Sequence, residues 1–217
     1  QAAYASAIVC QVGGVRQYVN FTSKGIIGVK ADDGTALWGE NASANGTANC
    51  STPLYHEGHV FSASGYGTGA AMVRLASGRG TTRSQLVYKA REMENHHGGM
   101  VIVDGHIYGV NENSLICMDP RDGKVVWREK FADHKAGYTM TGAPTIVQDQ
   151  TTGRALLIHG SSGDEFGVVG KLFARDPLTG EEIWMRPFVE GHMGRLNGED
   201  STPTGDIKAP SWPDDPN

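Results

Sequence analysis

One element recurs three times along this chain, and few folds accommodate it. Ile116-Cys117-Met118-Asp119 runs through Pro120, Arg121 and Asp122 into Gly123-Lys124-Val125-Val126-Trp127. Phe173-Ala174-Arg175-Asp176 runs through Pro177, Leu178 and Thr179 into Gly180-Glu181-Glu182-Ile183-Trp184. Near the start, Gly28-Val29-Lys30-Ala31 leads through Asp32 and Asp33 into Gly34-Thr35-Ala36-Leu37-Trp38. The Gly-to-Trp spacing is four in every copy, and Lys30 stands where the other two copies carry Asp. Each copy reads as an apolar strand, a tight turn whose Asp and Gly supply the required backbone angles, and a second strand ending on Trp. A large indole at the end of a hairpin needs an apolar partner outside its own sheet.

A ring of radially repeated four-stranded sheets supplies that partner, because the next sheet lies against each Trp. The spacings agree. Trp127 and Trp184 are 57 residues apart, near one blade with its loops, and Trp38 and Trp127 are 89 apart, which fits two blades. The middle blade then lacks its Trp. Met72–Leu75 and Leu86–Tyr88 read as its outer pair, with Tyr88 in the docking place. The predicted strands of blade one are Ala7–Val12, Gln17–Phe21, Gly25–Lys30 and Thr35–Trp38. Blade two has Thr52–Tyr55, His59–Ala63, Ala70–Leu75 and Gln85–Lys89. Blade three has Met100–Val103, His106–Val110, Ser114–Met118 and Lys124–Arg128. Blade four has Pro144–Gln148, Ala155–His159, Gly170–Arg175 and Glu182–Arg186. Turn signals at Gly13-Gly14, Glu57-Gly58, Asp104-Gly105 and Thr152-Gly153 separate the first two strands of each blade. No segment carries a long 3.6-residue apolar period, so the fold class is all-β: a propeller of about four four-stranded blades. From Pro187 onward the texture is loop-like, and a tail of this length without strands reads as functional or as awaiting a partner surface.

Bulk properties exclude several classes. The chain has 217 residues, 39% hydrophobic and 20% charged, with a formal net charge of −5, and it offers no broad basic face for nucleic acid. No run of 18 apolar residues is present, so no helical membrane span is expected. Cys10, Cys50 and Cys117 form no C-x-x-C pair and no C-x-x-C-H haem motif; they read as packed or free thiols. Four N-x-[ST] tripeptides occur, at Asn20, Asn41, Asn45 and Asn49. Gln1 is followed at once by strand-like sequence, without the charged and apolar regions of a signal peptide, and reads as a processed, excised or partial start.

Two families are visible in the motifs. Asp133-His134-Lys135-Ala136-Gly137-Tyr138-Thr139-Met140-Thr141-Gly142-Ala143-Pro144, then Gly160-Ser161-Ser162-Gly163-Asp164-Glu165-Phe166-Gly167-Val168, the Trp184 hairpin, Glu190-Gly191-His192-Met193 and Ser211-Trp212-Pro213-Asp214-Asp215 resemble PQQ-dependent methanol and ethanol dehydrogenases. Asn45-Gly46-Thr47-Ala48-Asn49, Ser51-Thr52-Pro53 and Asn95-His96-His97-Gly98-Gly99-Met100 resemble the PQQ-like propeller repeat proteins, many of which bind no quinone. The two resemblances meet near Trp127 to Phe131. They divide the chain into 1–130 (about three PQQ-like blades), 131–187 (a dehydrogenase-like blade) and 188–217 (a loop or tail of that family).

The dehydrogenase resemblance implies pyrroloquinoline quinone (PQQ), a Ca or lanthanide ion, a small alcohol as substrate, and a periplasmic or extracellular location. By the same resemblance Glu165 is the metal ligand, since such hard cations take carboxylate oxygen. The resemblance also implies that Ser162, Gly163 and Asp164 place side-chain and backbone donors near the quinone carboxylates, and that Thr141 matches a family threonine that hydrogen-bonds the cofactor. Read alone, Glu165 is a carboxylate in a glycine-rich turn. Asp164 stands where the family often has a small residue; it either adds a carboxylate near the ion or faces solvent. No catalytic residue is identified: the family's general-base Asp, stacking Trp and metal-binding Asn correspond to positions beyond Asn217, and its adjacent cysteine pair has no counterpart. His96 and His97 read as turn residues between blades, because neighbours on a strand point to opposite faces and do not share an ion easily. Four blades are half of the eight this family implies, so a second chain or further blades are expected to complete the ring. The rival readings are a non-catalytic propeller scaffold and a chimera assembled to study blade packing.

Overall fold

A computed structural model describes residues 3–111, 113–131, 133–162 and 167–188, although the side chain of His134 is left undescribed. The described residues form four antiparallel sheets of four strands each, every one in simple sequential order. Blade one holds β1 (Ile8–Val12), β2 (Val15–Thr22), β3 (Gly25–Lys30) and β4 (Ala36–Glu40). Blade two holds β5 (Leu54–His56), β6 (His59–Ser64), β7 (Gly69–Gly78) and β8 (Thr81–Ala90). Blade three holds β9 (Val101–Val103), β10 (His106–Asn111), β11 (Ser114–Met118) and β12 (Val125–Lys130). Blade four holds β13 (Thr145–Gln148), β14 (Ala155–Ser161), β15 (Lys171–Arg175) and β16 (Glu182–Pro187). The only helical segment among the described residues is a 3-10 turn at His134–Ala136.

Each blade is joined to the next by an aromatic ring on its fourth strand. The Trp127 ring lies over Gly180, and its Nε1 donates to the Pro177 carbonyl at 2.9 Å. The Tyr88 ring lies over Gly123 in the same way, and its hydroxyl donates to the Pro120 carbonyl at 3.0 Å. The sequence expectation for Tyr88 therefore holds in detail: a phenol serves where an indole serves elsewhere. Gly123 and Gly180 have φ of +73° and +78°, and a Cβ on either would fall within 3 Å of the ring above. Glycine is required there for both reasons. The turns are fixed from within, since Asp119 and Asp176 accept hydrogen bonds from backbone amides two residues on.

A β-bulge stands beside every one of these rings. Register shifts fall between Gly28/Val29, Met72/Val73, Cys117/Met118 and Ala174/Arg175, directly after the pairs Gly28–Trp38, Met72–Tyr88, Cys117–Trp127 and Ala174–Trp184. The extra residue is in each case the one before the aromatic: Leu37, Val87, Val126 and Ile183. A bulge bends its strand and re-aims the next side chain, which sets the ring toward the following blade.

The first joint differs. β7 and β8 run ten residues each, past the expected ends at Leu75 and Gln85, and close on a two-residue turn at Arg79-Gly80 with φ of +52° and +76°. This longer hairpin replaces the Asp-Pro turn. Trp38 Nε1 instead donates to Gln17 Oε1 at 2.6 Å, and Gln17 Nε2 donates to Thr82 Oγ1 at 3.2 Å. Gln17 and Thr82 are fully buried, so their polar atoms must be paired in this way.

Packing follows the joints. One cluster links Val19, Phe21, Ile26 and Trp38 of blade one to Val60, Val73 and Leu75 of blade two. A second links Phe61, Ala70 and Met72 to Ile107, Ile116 and Met118. A third links Tyr108, Leu115, Cys117 and Trp127 to Leu157, crossing the point where the two sequence resemblances meet. Trp127→Ala is expected to lower the unfolding free energy by about 3–5 kcal/mol, as for a buried indole. Tyr88→Phe, which keeps the ring and loses one hydrogen bond, should cost only about 1 kcal/mol. Urea unfolding curves for the two variants test this ordering.

Candidate functional site

Sequential strand order puts the turn between second and third strands, and the connector to the next blade, at one end of every sheet. Of the candidate residues, the described ones, Thr141 and Ser162, lie at that end. The connectors there are stitched to one another. Asn45 folds its own loop, accepting from the Thr47 and Ala48 amides and donating to the Ala48 and Gly65 carbonyls. Ser51 Oγ donates to Asn95 Oδ1 at 2.6 Å, and Asn95 Nδ2 reaches the Val110 carbonyl. Asn49 is fully buried and its Nδ2 donates to the Thr22 and Asn45 carbonyls, so the folded chain has no room for a glycan there. His96 sits edge-on to Tyr66 with ring centroids 4.6 Å apart, against Gly65, while its centroid is 6.3 Å from that of His97.

The same stitching reaches the fourth blade. A Cβ on Gly98 would lie 3.1 Å from the Gly142 carbonyl, and one on Gly99 would lie 2.8 Å from the Ala143 Cβ. The Thr141-Gly142-Ala143 run therefore rests on the Gly98-Gly99 pair of the preceding connector. Thr141 is exposed at this end. Two residues earlier, Thr139 pairs with Ser162 through both backbone amides, each N···O at 2.8 Å, and through their hydroxyls at 2.9 Å. This bridge pins the connector to the end of β14, so Thr141 and Ser162 are held on one side of the fold. Gly163, Asp164 and Glu165 lie outside the described residues, as do His192 and Trp212.

Sequence reasoning passed over three features here. Thr139 clamps Ser162; its alternation with Thr141 was the available signal. Lys171 Nζ stands 4.8 Å from the centre of the Tyr138 ring, a cation–π contact at the mouth of the same loop. Ser161 Oγ is buried and meets no hydrogen-bond partner among the described residues. The Thr139 and Ser162 hydroxyls are paired with each other and Thr141 is exposed nearby in the same connector, whereas Ser161, the residue before Ser162 on the strand, points to the other face. A metal centre is a separate matter. Among the described residues no three His, Cys, Asp or Glu side chains come together to hold an ion.

Beneath the loop lies a buried polar cluster. His159 stacks flat on Phe173, with centroids 4.8 Å apart and planes 4° from parallel, and Phe131 meets it edge-on. Arg175 is buried, donating from Nε to His159 Nε2 at 3.0 Å and from Nη1 to the Gly180 carbonyl. Glu182 and Glu129 stand 3.4 and 4.0 Å from its guanidinium. Since Arg175 can only donate, the neutral imidazole carries its proton on Nδ1. Burial, and then the Arg175 charge, depress the His159 pKa from 6.5 to about 3.

These four blades define a segment of a β-propeller built from PQQ-type repeats, with polar connectors collected on one face. Residues 1–129 match the PQQ_2 family, described as "Outer membrane protein assembly factor BamB", and the chain belongs to that family. Its relatives also include dehydrogenases. It is 70% identical over 122 residues to the quinoprotein ethanol dehydrogenase of Pseudomonas aeruginosa, covering 56% of this chain and 20% of that enzyme. It is 82% identical over 88 residues to the quinoprotein alcohol dehydrogenase PedE of Pseudomonas putida, covering 41% and 14% respectively. The quinohemoprotein alcohol dehydrogenase of Comamonas testosteroni superposes with a TM-score of 0.56 at 17% identity, over 82% of this chain and 35% of that one, which shows the common fold. The chain spans about a fifth or less of the length of the curated relatives named here.

The His159 cluster gives a pH test. The folded imidazole stays neutral down to about pH 3, whereas the unfolded one takes a proton near 6.5. Its stabilising contribution is complete above pH 6.5 and is lost as pH falls toward 3, by up to about 1.4 kcal/mol per pH unit. Urea midpoints should fall between pH 7 and pH 5, and His159→Gln should flatten that dependence.

Proposed function

We propose that this chain forms part of a PQQ-dependent alcohol dehydrogenase that oxidises a small primary alcohol. The observation that carries this reading is the 70% identity over 122 residues to a quinoprotein ethanol dehydrogenase. The hydroxyl-lined loop pinned by Thr139 and Ser162 supports it by its donor chemistry. In this reading Thr141, Ser162, Gly163 and Asp164 hold the quinone, and Glu165 holds a Ca or lanthanide ion that polarises a quinone carbonyl. When bound, PQQ supplies a two-electron acceptor. The contribution of this chain is to fix the loop, present hydroxyl donors on one face, and place the Lys171 charge beside Tyr138. The general base, the remaining metal ligands and the remaining blades come from outside these 217 residues. A periplasmic location belongs to the same proposal. Among the described residues no helix is long and apolar enough to cross a membrane.

A second reading, a non-catalytic propeller that acts as a binding scaffold, is supported by the family match over residues 1–129. A titration of the purified chain with PQQ in the presence of Ca²⁺ or La³⁺, followed by cofactor absorbance, separates the two. Saturable, metal-dependent binding that Glu165→Ala reduces at least tenfold is the dehydrogenase outcome. Equal, weak signals from both proteins favour the scaffold.

A further inference from the structure

Blade two carries a concentration of unopposed positive charge. Between Glu57 and Glu92 the sequence holds Arg74, Arg79, Arg83, Lys89 and Arg91 and no Asp or Glu, in a chain whose formal net charge is −5. All five cations are exposed. In the other blades cations are commonly neutralised in place: Lys30 by Asp32 and Asp33, Arg121 by Asp119, Lys124 by Asp122, Arg154 by Asp176 and Arg175 by Glu182. Among the described residues none of the five in blade two forms an ion pair. Glu57, in the turn at the same end as Arg74, stands 3.8 Å from His56 instead.

The long hairpin strings these charges out. Arg74 aligns with Gln85 and Ala76 with Arg83, so Arg74 and Arg83 are diagonal neighbours on one face, roughly 7–8 Å apart. Arg79 stands at the tip, and Lys89 lies on the opposite face. β8 is ten residues long, against five or six for the other fourth strands, and so reaches about 33 Å. It is the last strand of its sheet, and among the described residues no backbone hydrogen bond reaches its edge away from β7. Leu86 and Val87 stand exposed between Arg83 and Lys89. Blade two packs against blade one on one side and blade three on the other, so this edge faces outward by strand order and not by where the chain begins or ends. Charges guard many edge strands against unwanted pairing. A guard sits on the edge itself, whereas here Arg74 and Arg79 extend the charge onto β7 and the tip.

We propose that this hairpin docks an extended acidic peptide, a segment of a partner protein lying along β8. The free edge supplies strand-type backbone hydrogen bonds. Arg83, with Arg74 reaching from β7, takes carboxylates on one face through paired N–H···O contacts, and Lys89 takes another on the opposite face. Leu86 and Val87 meet the apolar side chains between them. A strand-shaped partner fits this layout better than a membrane does, because the charges follow a narrow ribbon and occupy both of its faces, and a flat bilayer meets only one. Docking here uses no residue of the Thr139–Ser162 loop, so it holds whether or not the chain takes part in alcohol oxidation.

Fluorescence anisotropy of a fluorescein-labelled peptide of repeating Glu-Glu-Val-Thr, titrated with the purified chain, tests the docking. Saturable binding that weakens as salt is raised is expected, with none for a Lys-Lys-Val-Thr counterpart. Arg74→Glu combined with Arg83→Glu, both at exposed and unpaired positions, should weaken binding about tenfold or more and leave the urea midpoint unchanged. Lys24→Glu combined with Lys130→Glu makes the same change in net charge at exposed positions away from the hairpin, and should leave binding near that of the wild type. Equal losses in the two double variants mean attraction by overall charge alone and overturn the proposal. So does a wild-type chain that fails to bind the peptide, or an Arg74→Glu, Arg83→Glu variant that binds it as the wild type does. Binding to phosphatidylglycerol vesicles in place of the peptide assigns the hairpin to a membrane and overturns it as well.

Discussion

An aromatic ring on the fourth strand of each blade, seated on a glycine of the next sheet at two of the three joints, is the contact on which this architecture depends. Hydrogen bonds hold each blade together internally, but strand pairing does not bind one blade to another. That task falls to the ring, to the hydrogen bond from its polar atom, and to the apolar side chains drawn in around it. The glycine admits the ring, the Asp-bearing turn holds the accepting carbonyl in position, and the bulge aims the donor. Loss of any one of these parts loosens a whole blade, because blades meet only their neighbours.

Most of the architecture was legible because its determinants are local. The hairpin repeat, the two-residue turns and the alternating strands are written within stretches of about ten residues, and observed strand ends fall close to the expected ones. Tyr88 could be assigned by its place in the repeat although its residue type differs. The long β7–β8 hairpin was not legible. Ala76-Ser77-Gly78-Arg79-Gly80 reads as a loop because its glycines suggest a break, whereas only Arg79 and Gly80 turn the chain. The Gln17–Trp38–Thr82 chain was hidden for a related reason, since Gln17 and Thr82 are 65 residues apart and nothing local marks them as partners.

The candidate site divides along the same line. Thr141 and Ser162 could be singled out by resemblance to dehydrogenase motifs, and the fold sets both on one face. The clamp that holds them, Thr139 on Ser162, joins residues 23 apart in sequence through hydroxyls that no short pattern distinguishes. The Arg175–His159 pair was equally silent: a histidine in a strand looks the same whether it is charged at the surface or neutral under a guanidinium. Glu165, the residue on which the metal reading turns, lies outside the described residues and remains part of the proposal.

The long hairpin of blade two has a practical consequence. Its anchors, Ser77 against Gly13 and Thr82 under Gln17, grip the strands below the tip, while Arg79 and Gly80 stand clear in solvent. Foreign sequence spliced between those two residues would extend away from the blade without disturbing a joint. This hairpin is therefore a natural port for a fluorophore, an affinity tag or a tether to a surface, on the face opposite the polar connectors.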